Sequence, residues 1–175
     1  MKRKPQELFR LAREALLRAG AHEKMAETAA QHLVRAEEQG LPTHGMSRVP
    51  FYCSMLRSGR ADGKARPTMA AEKAGVCLID NADGLPYESA AWAIEEVIQR
   101  ARRNGIGFAG IRNSAHVGVL GIHLLKVAEA GMVGVAFTNS PAAIPPWGGK
   151  KALFGTDPVA FAFPRKGAQP IVVDL

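Results

Sequence analysis

Hydrophobic residues in the first sixty positions recur every three or four residues. Leu8, Leu11, Ala12, Ala15, Leu16 and Ala19 form one such stripe, with Pro5 suited to a first helical turn and Gly20 to a stop. A second stripe of Met25, Ala29, Leu33 and Ala36 predicts a helix over 22–39, closed by Gly40. Val49, Tyr52, Cys53 and Leu56 predict a shorter helix over 47–58 that stops at Gly59. Between the second and third helices lies Leu41-Pro42-Thr43-His44-Gly45, a turn that holds polar groups between them.

The periodicity changes after residues 59–74, a polar, small and turn-rich stretch that is the expected domain boundary. Beyond it, strands are expected at 75–80, 106–112, 133–139, 158–163 and 171–175, and helices at 87–104 and 116–130. Strands alternating with long helices predict an α/β layer structure, with antiparallel pairing near the end where no helix intervenes. The expected organisation is a helical domain over 1–65 packed on a mixed-sheet α/β domain over 66–175.

Composition narrows the class. The 175 residues are 47% hydrophobic and 22% charged, a globular balance, and a chain of this length needs no disulfide or metal staple. Cys53 and Cys77 are far apart and form no CxxC pair, which excludes a disulfide scaffold and a zinc ribbon. No apolar run approaches the roughly 18 residues of a membrane span, and the basic start has no apolar signal core, so a cytoplasmic protein with no membrane partner is expected. The net charge of +7 invites a nucleic-acid reading. Part of it sits at Lys2, Arg3 and Lys4 or beside acidic neighbours, as with Arg10, Arg13 and Glu14, and aromatic residues are only 6%. With no aromatic stacking platform, no nucleic-acid partner is expected. The five histidines are scattered without ligand spacing, so no metal site is expected either.

Four polar segments at element ends carry candidate chemistry. In Thr43-His44-Gly45 followed by Arg48, the histidine suits proton transfer near neutral pH, the hydroxyl can orient a neighbour, and the guanidinium matches a carboxylate bidentately. A plain alternative is a capping loop with an exposed histidine and an unrelated arginine. Asn113 to Gly121 follows a strand and opens a helix, so its backbone could hold an anion, but the spacing is not GxGxxG; Ser114 serving simply as a helix cap stays open. Thr138 to Gly149, with three prolines and Trp147, reads as a rigid pocket wall or as a structural loop packed by Trp147 and Ile144. Gly155-Thr156-Asp157-Pro158 is by itself a turn.

Taken in order, THGxxR, NSxHxGxxG, TNSPAxxPPWGG, GTDPxAFAxP and VVD resemble the type-2 malate/L-lactate dehydrogenase family, which includes ureidoglycolate and sulfolactate dehydrogenases and cyclic ketimine reductases. The resemblance implies a non-Rossmann fold, a homodimer, and an NAD- or NADP-dependent oxidoreductase. The implied reaction moves a hydride between nicotinamide and C2 of a small 2-oxo or 2-hydroxy acid, or a related imine. It implies that His44 is the proton donor, with Thr43 orienting it where the family usually has Ser, and that Arg48 holds the substrate carboxylate. His116, Val117, Gly118, Val119 and Leu120 match a cofactor-binding turn, and in some members the histidine at the His116 position is itself the acid/base. Ser140 and Asp174 match further cofactor contacts.

Residues 81–86 depart from the family's glycine-rich turn, and Asp157 stands where Asn is common. The family chain continues past the VVD strand, and its later half supplies an Asp of the catalytic relay. An incomplete α/β domain is therefore expected, with a catalytically inactive binding or assembly module as the alternative to an enzyme.

Overall fold

The first helix, α1 (Pro5–Arg18), starts at proline and buries Ala12 and Leu16, as its stripe requires. The computed structural model describes residues 3–175; Lys2, counted above among the N-terminal charges, lies outside the described residues. Helix α2 (Glu23–Glu38) is capped by His22, whose Nδ1 accepts from the Met25 amide at 3.3 Å. Helix α3 (Val49–Arg57) begins two residues later than expected, because residues Met46–Arg48 form a 3-10 turn ahead of Pro50. The three helices converge on a core of Leu16, Met25, Leu33, Tyr52, Leu56 and Leu85, with Tyr87 sealed among them.

The polar stretch after α3 contains a strand that hydrophobic patterning does not reveal. Strand β1 (Thr68–Glu72) lies at a sheet edge and is almost wholly exposed, so it carries no apolar alternation. It pairs antiparallel with β2 (Val76–Asp80) through a bulge between Met69 and Ala71, and β2 pairs parallel with β3 (Phe108–Arg112). Helix α4 (Tyr87–Asn104) forms the crossover, over the predicted span, and ends on left-handed Gly105.

Arg100 of α4 clamps this sheet. Its Nη1 donates to the Lys73 carbonyl at 2.5 Å and its Nη2 to Glu72 and Glu96 at 2.7 and 3.0 Å. A cavity of about 440 Å³ opens beside the clamp, lined by Glu72, Lys73, Glu96, Arg100 and Arg103 among others. None of the predicted site residues lines it.

These elements make one compact unit that runs to Gly118; Val119–Leu175 form a second. In the second unit, α5 (Leu120–Glu129) lies on an antiparallel sheet of β4 (Gly134–Phe137), β5 (Val159–Phe163) and β6 (Ile171–Asp174). The antiparallel pairing expected near the chain's end is present. Ala160 and Ala162 are fully buried, and a β-carbon on Gly134 would lie 3.0 Å from Leu124 of α5. By strand alternation Val135, Phe137, Phe163, Ile171 and Val173 point to the other face, where they are exposed.

Helix α5 starts at Leu120 and not at His116 as expected. Gly118 at φ 75° and extended Val119 at φ −86°, ψ 115° keep the preceding residues out of helical geometry. The 138–157 excursion is held by an Ile144–Phe154 bridge, and Trp147 is entirely exposed, so it does not pack the loop. The molecule is thus α/β, with one mixed and one antiparallel sheet.

Candidate active site

The turn between α2 and α3 is pinned from below. A carboxylate of α2, Glu37, accepts from the Met46 amide at 2.7 Å, and a β-carbon on Gly45 would collide with that side chain. This presents Thr43, His44 and Arg48 together. Thr43 Oγ1 lies 3.0 Å from His44 Nδ1, and Arg48 Nε donates to the Thr43 carbonyl at 2.7 Å. The Arg48 guanidinium stands 5.8 Å from the centre of the Phe51 ring, in cation–π range.

His116 arrives from the loop that follows β3 and meets this group. Its ring stacks on His44 at 5.7 Å between centroids. Its Nδ1 lies 2.8 Å from the hydroxyl of Tyr52, which is fully buried in α3. Tyr52 in turn lies 2.7 Å from the Tyr87 hydroxyl. His116 as a residue is exposed, yet its imidazole is partly shielded from water, and this loss of solvation depresses its pKa below the usual value; the charges of Arg48 and then His44 act in the same direction. Burial pushes Tyr52 up and Tyr87 well up, so both stay protonated hydroxyls near neutral pH.

Four sequence-predicted residues, Thr43, His44, Arg48 and His116, therefore meet in one place within the first unit. Val117 and Gly118 continue its final loop, where a β-carbon on Gly118 would lie 2.8 Å from His32 Nε2 and 2.9 Å from Tyr87 Oη. Val119, Leu120, Ser140 and Asp174 belong to the second unit. There the Asp174 carboxylate accepts from the Gly121 amide at 2.8 Å, so this N–H at the start of α5 is used within the protein. Ser140 Oγ accepts from the Thr156 amide at 2.9 Å, and the Ser140 amide donates to Asp157 at 2.8 Å.

Tyr52 and Tyr87 escape sequence reasoning because both look like ordinary inward positions of helical stripes. The available signal was a hydroxyl on each otherwise apolar face, since a buried hydroxyl needs a partner.

The chain as a whole, site included, can be compared with known proteins. Residues 4–175 match the model of the family described as malate/L-lactate dehydrogenase. The chain belongs to that family. It is 42% identical over 167 residues to a (2R)-3-sulfolactate dehydrogenase (NADP(+)) of Chromohalobacter salexigens, covering 94% of this chain and 49% of the relative. With a malate dehydrogenase of Pyrococcus abyssi it shares 34% identity, covering 97% of this chain and 46% of that one. Among solved structures, the delta1-piperideine-2-carboxylate reductase of Pseudomonas syringae superposes with a TM-score of 0.94 at 34% identity, over 100% of this chain and 53% of the other. This family member thus spans about half the length of these relatives.

Proposed function

We propose that the protein serves as an NAD- or NADP-dependent oxidoreductase acting on a small 2-oxo or 2-hydroxy acid, of the malate or lactate kind, or on a related cyclic imine. The observation that carries this reading is the placement of His44, Arg48 and His116 around one exposed spot, with Thr43 bonded to His44. Relatives named for sulfolactate, malate, piperideine-carboxylate and ureidoglycolate chemistry, the first with NADP(+) and the last with NAD(+) in its name, support the substrate and cofactor class.

The residues fit a nicotinamide dinucleotide in kind. The His116–Gly118 loop follows the carboxyl end of the parallel strand pair β2–β3, the edge at which open α/β sheets take ligands. In the first unit His116, Val117 and Gly118 would contact it, and when bound it supplies the hydride. Arg48 clamps the substrate carboxylate and sets C2 in place. Reduction leaves negative charge on the substrate oxygen or nitrogen, and His44 supplies the proton there while Thr43 fixes its ring. His116 is the alternative acid/base. In this reading 1–65 is the helical domain and 66–175 the cofactor domain, working in a cytoplasmic homodimer.

Titration of the 175-residue chain with NADH and NADPH, followed by nicotinamide fluorescence and then by turnover of a 2-oxo acid, tests the proposal. Saturable binding with turnover is expected. Because the chain spans half of its relatives' length, the second reading is an inactive binding or assembly module, and binding without turnover would favour it. In an active preparation, His44→Ala should lower turnover by about 10²–10⁴-fold with little change in cofactor affinity. Loss of affinity with turnover retained would transfer the donor role to His116.

A further inference from the structure

Two contacts of different kinds orient Arg48. Its Nε donates to the Thr43 carbonyl at 2.7 Å, and its guanidinium carbon stands over the Phe51 ring, 5.8 Å from the centroid. The hydrogen bond fixes one edge of the guanidinium, and the ring fixes its plane, because the face of an aromatic ring attracts a cation. Local geometry brings the pair together. Arg48 is already helical, at φ −85° and ψ −14°, directly ahead of α3, so Phe51 three positions later lies on the same side of the helix.

Phe51 is itself braced. Its ring meets that of Tyr52 at 5.4 Å between centroids and 64°, and Tyr52 is fully buried. It meets the His116 ring at 6.4 Å and 85°, within the edge-to-face range. Phe51 keeps 37% of its surface exposed and stands outside the apolar cluster to which Tyr52 belongs, so its ring can be exchanged without opening the core.

A guanidinium can take a carboxylate bidentately on either of two edges, Nη1 with Nη2 or Nε with one Nη. Nε carries a single proton, and the Thr43 carbonyl accepts it. The edge that includes Nε is thereby spent. The Nη1–Nη2 fork is the edge left for a bidentate carboxylate.

We infer that Phe51 is a positioning residue: its ring face fixes the plane of the Arg48 guanidinium, so that a carboxylate is taken end-on by Nη1 and Nη2 while Nε stays with Thr43. The clause about a carboxylate rests on the proposed function; the ordering of Arg48 does not.

Phe51→Leu removes the ring face and keeps an apolar side chain, whereas Phe51→Tyr keeps the face. ¹⁵N relaxation of the arginine Nε–H groups, in the full chain without ligand, reads the ordering of Arg48, whose signal is assigned by its loss in Arg48→Lys. An order parameter above about 0.8 is expected for Arg48, against less than about 0.6 for exposed Arg102 of α4. Phe51→Leu should bring Arg48 down toward Arg102, and Phe51→Tyr should hold it up. An Arg48 as mobile as Arg102 in the unmutated chain overturns the inference, as does undiminished order in Phe51→Leu. If that variant does not fold, the unmutated chain decides.

Oxamate, an unreactive analogue of a small 2-oxo acid, is then titrated with NADH and NADPH present. It should shift the Nη resonances of Arg48 more than Nε–H, and Phe51→Leu should weaken its binding roughly two- to fivefold, the worth of an exposed cation–π contact, with Phe51→Tyr restoring it. A larger shift at Nε–H overturns the end-on clause, and equal affinity in Phe51→Leu overturns the role of the ring. Absence of oxamate binding removes the end-on clause together with the proposed function, while the ordering of Arg48, read without ligand, stands or falls by itself.

Discussion

Gly118→Ala probes how tightly the loop after β3 presses on the site floor. At φ 75° an L-residue is strained by roughly 1–2 kcal/mol. The new β-carbon would sit 2.8 Å from His32 Nε2 and 2.9 Å from Tyr87 Oη. Both side chains are buried, at 7% and 2% exposure, so neither can simply swing into solvent, and overpacking of this kind costs about 1–3 kcal/mol. Reduced freedom of the unfolded chain returns about 0.4–1 kcal/mol. The net loss is about 2–3 kcal/mol, a large part of the roughly 5–15 kcal/mol of a typical domain.

Urea unfolding followed by near-ultraviolet dichroism would show the midpoint falling by about 1–2 M at unchanged slope. Gly105→Ala is the internal reference, because Gly105 has φ 80° but nothing within 4 Å of a β-carbon. It should lose only the backbone strain. Equal losses at the two positions would refute the contact between the Gly118 turn and the His32–Tyr87 pair.

Three further outcomes are expected. Because His116 titrates below the usual value of about 6.5 in the folded chain, the unfolded chain binds its proton first. Its contribution to stability is complete above about pH 6.5 and disappears as pH falls through the lower folded value, so His116→Gln should flatten the drop in urea midpoint between pH 7.5 and 5; an equally steep drop in the variant would sink this. Asp174→Ala strands the Gly121 amide and should destabilise the second unit by about 0.5–2 kcal/mol, measured by hydrogen exchange in α5. Arg100→Met leaves two carboxylates and two carbonyls without their shared donor and should lower the thermal midpoint well below that of Arg102→Ala on the same helix.

Where burial writes itself into side chains, the sequence was legible. Helix α4 appears over its predicted residues because an eighteen-residue amphipathic stripe ends on a glycine that adopts φ 80°. Strand β1 was invisible for the opposite reason: an exposed edge strand is held by its partner's backbone and needs no alternation. The start of α5 was misplaced by four residues because Gly118 in the left-handed region is indistinguishable, in one-letter code, from a glycine that lets a helix pack closely. At the site, Thr43, His44 and Arg48 were readable as a local cluster. That His116 joins them, and that two tyrosines support it, depends on contacts 35 and 64 residues apart, which no local pattern encodes.

Tyr52 and Tyr87 serve two masters. Each is a full member of the apolar cluster that holds the first unit together, and each is also a link in the hydrogen-bonded chain under His116. Evolution or engineering cannot adjust one role without the other: loosening the core disorders the hydrogen-bonded floor under His116, and retuning that floor opens the core. Exposed positions such as Thr43 and Phe51 lie outside this double duty, so a change of side chain there leaves the foundation intact.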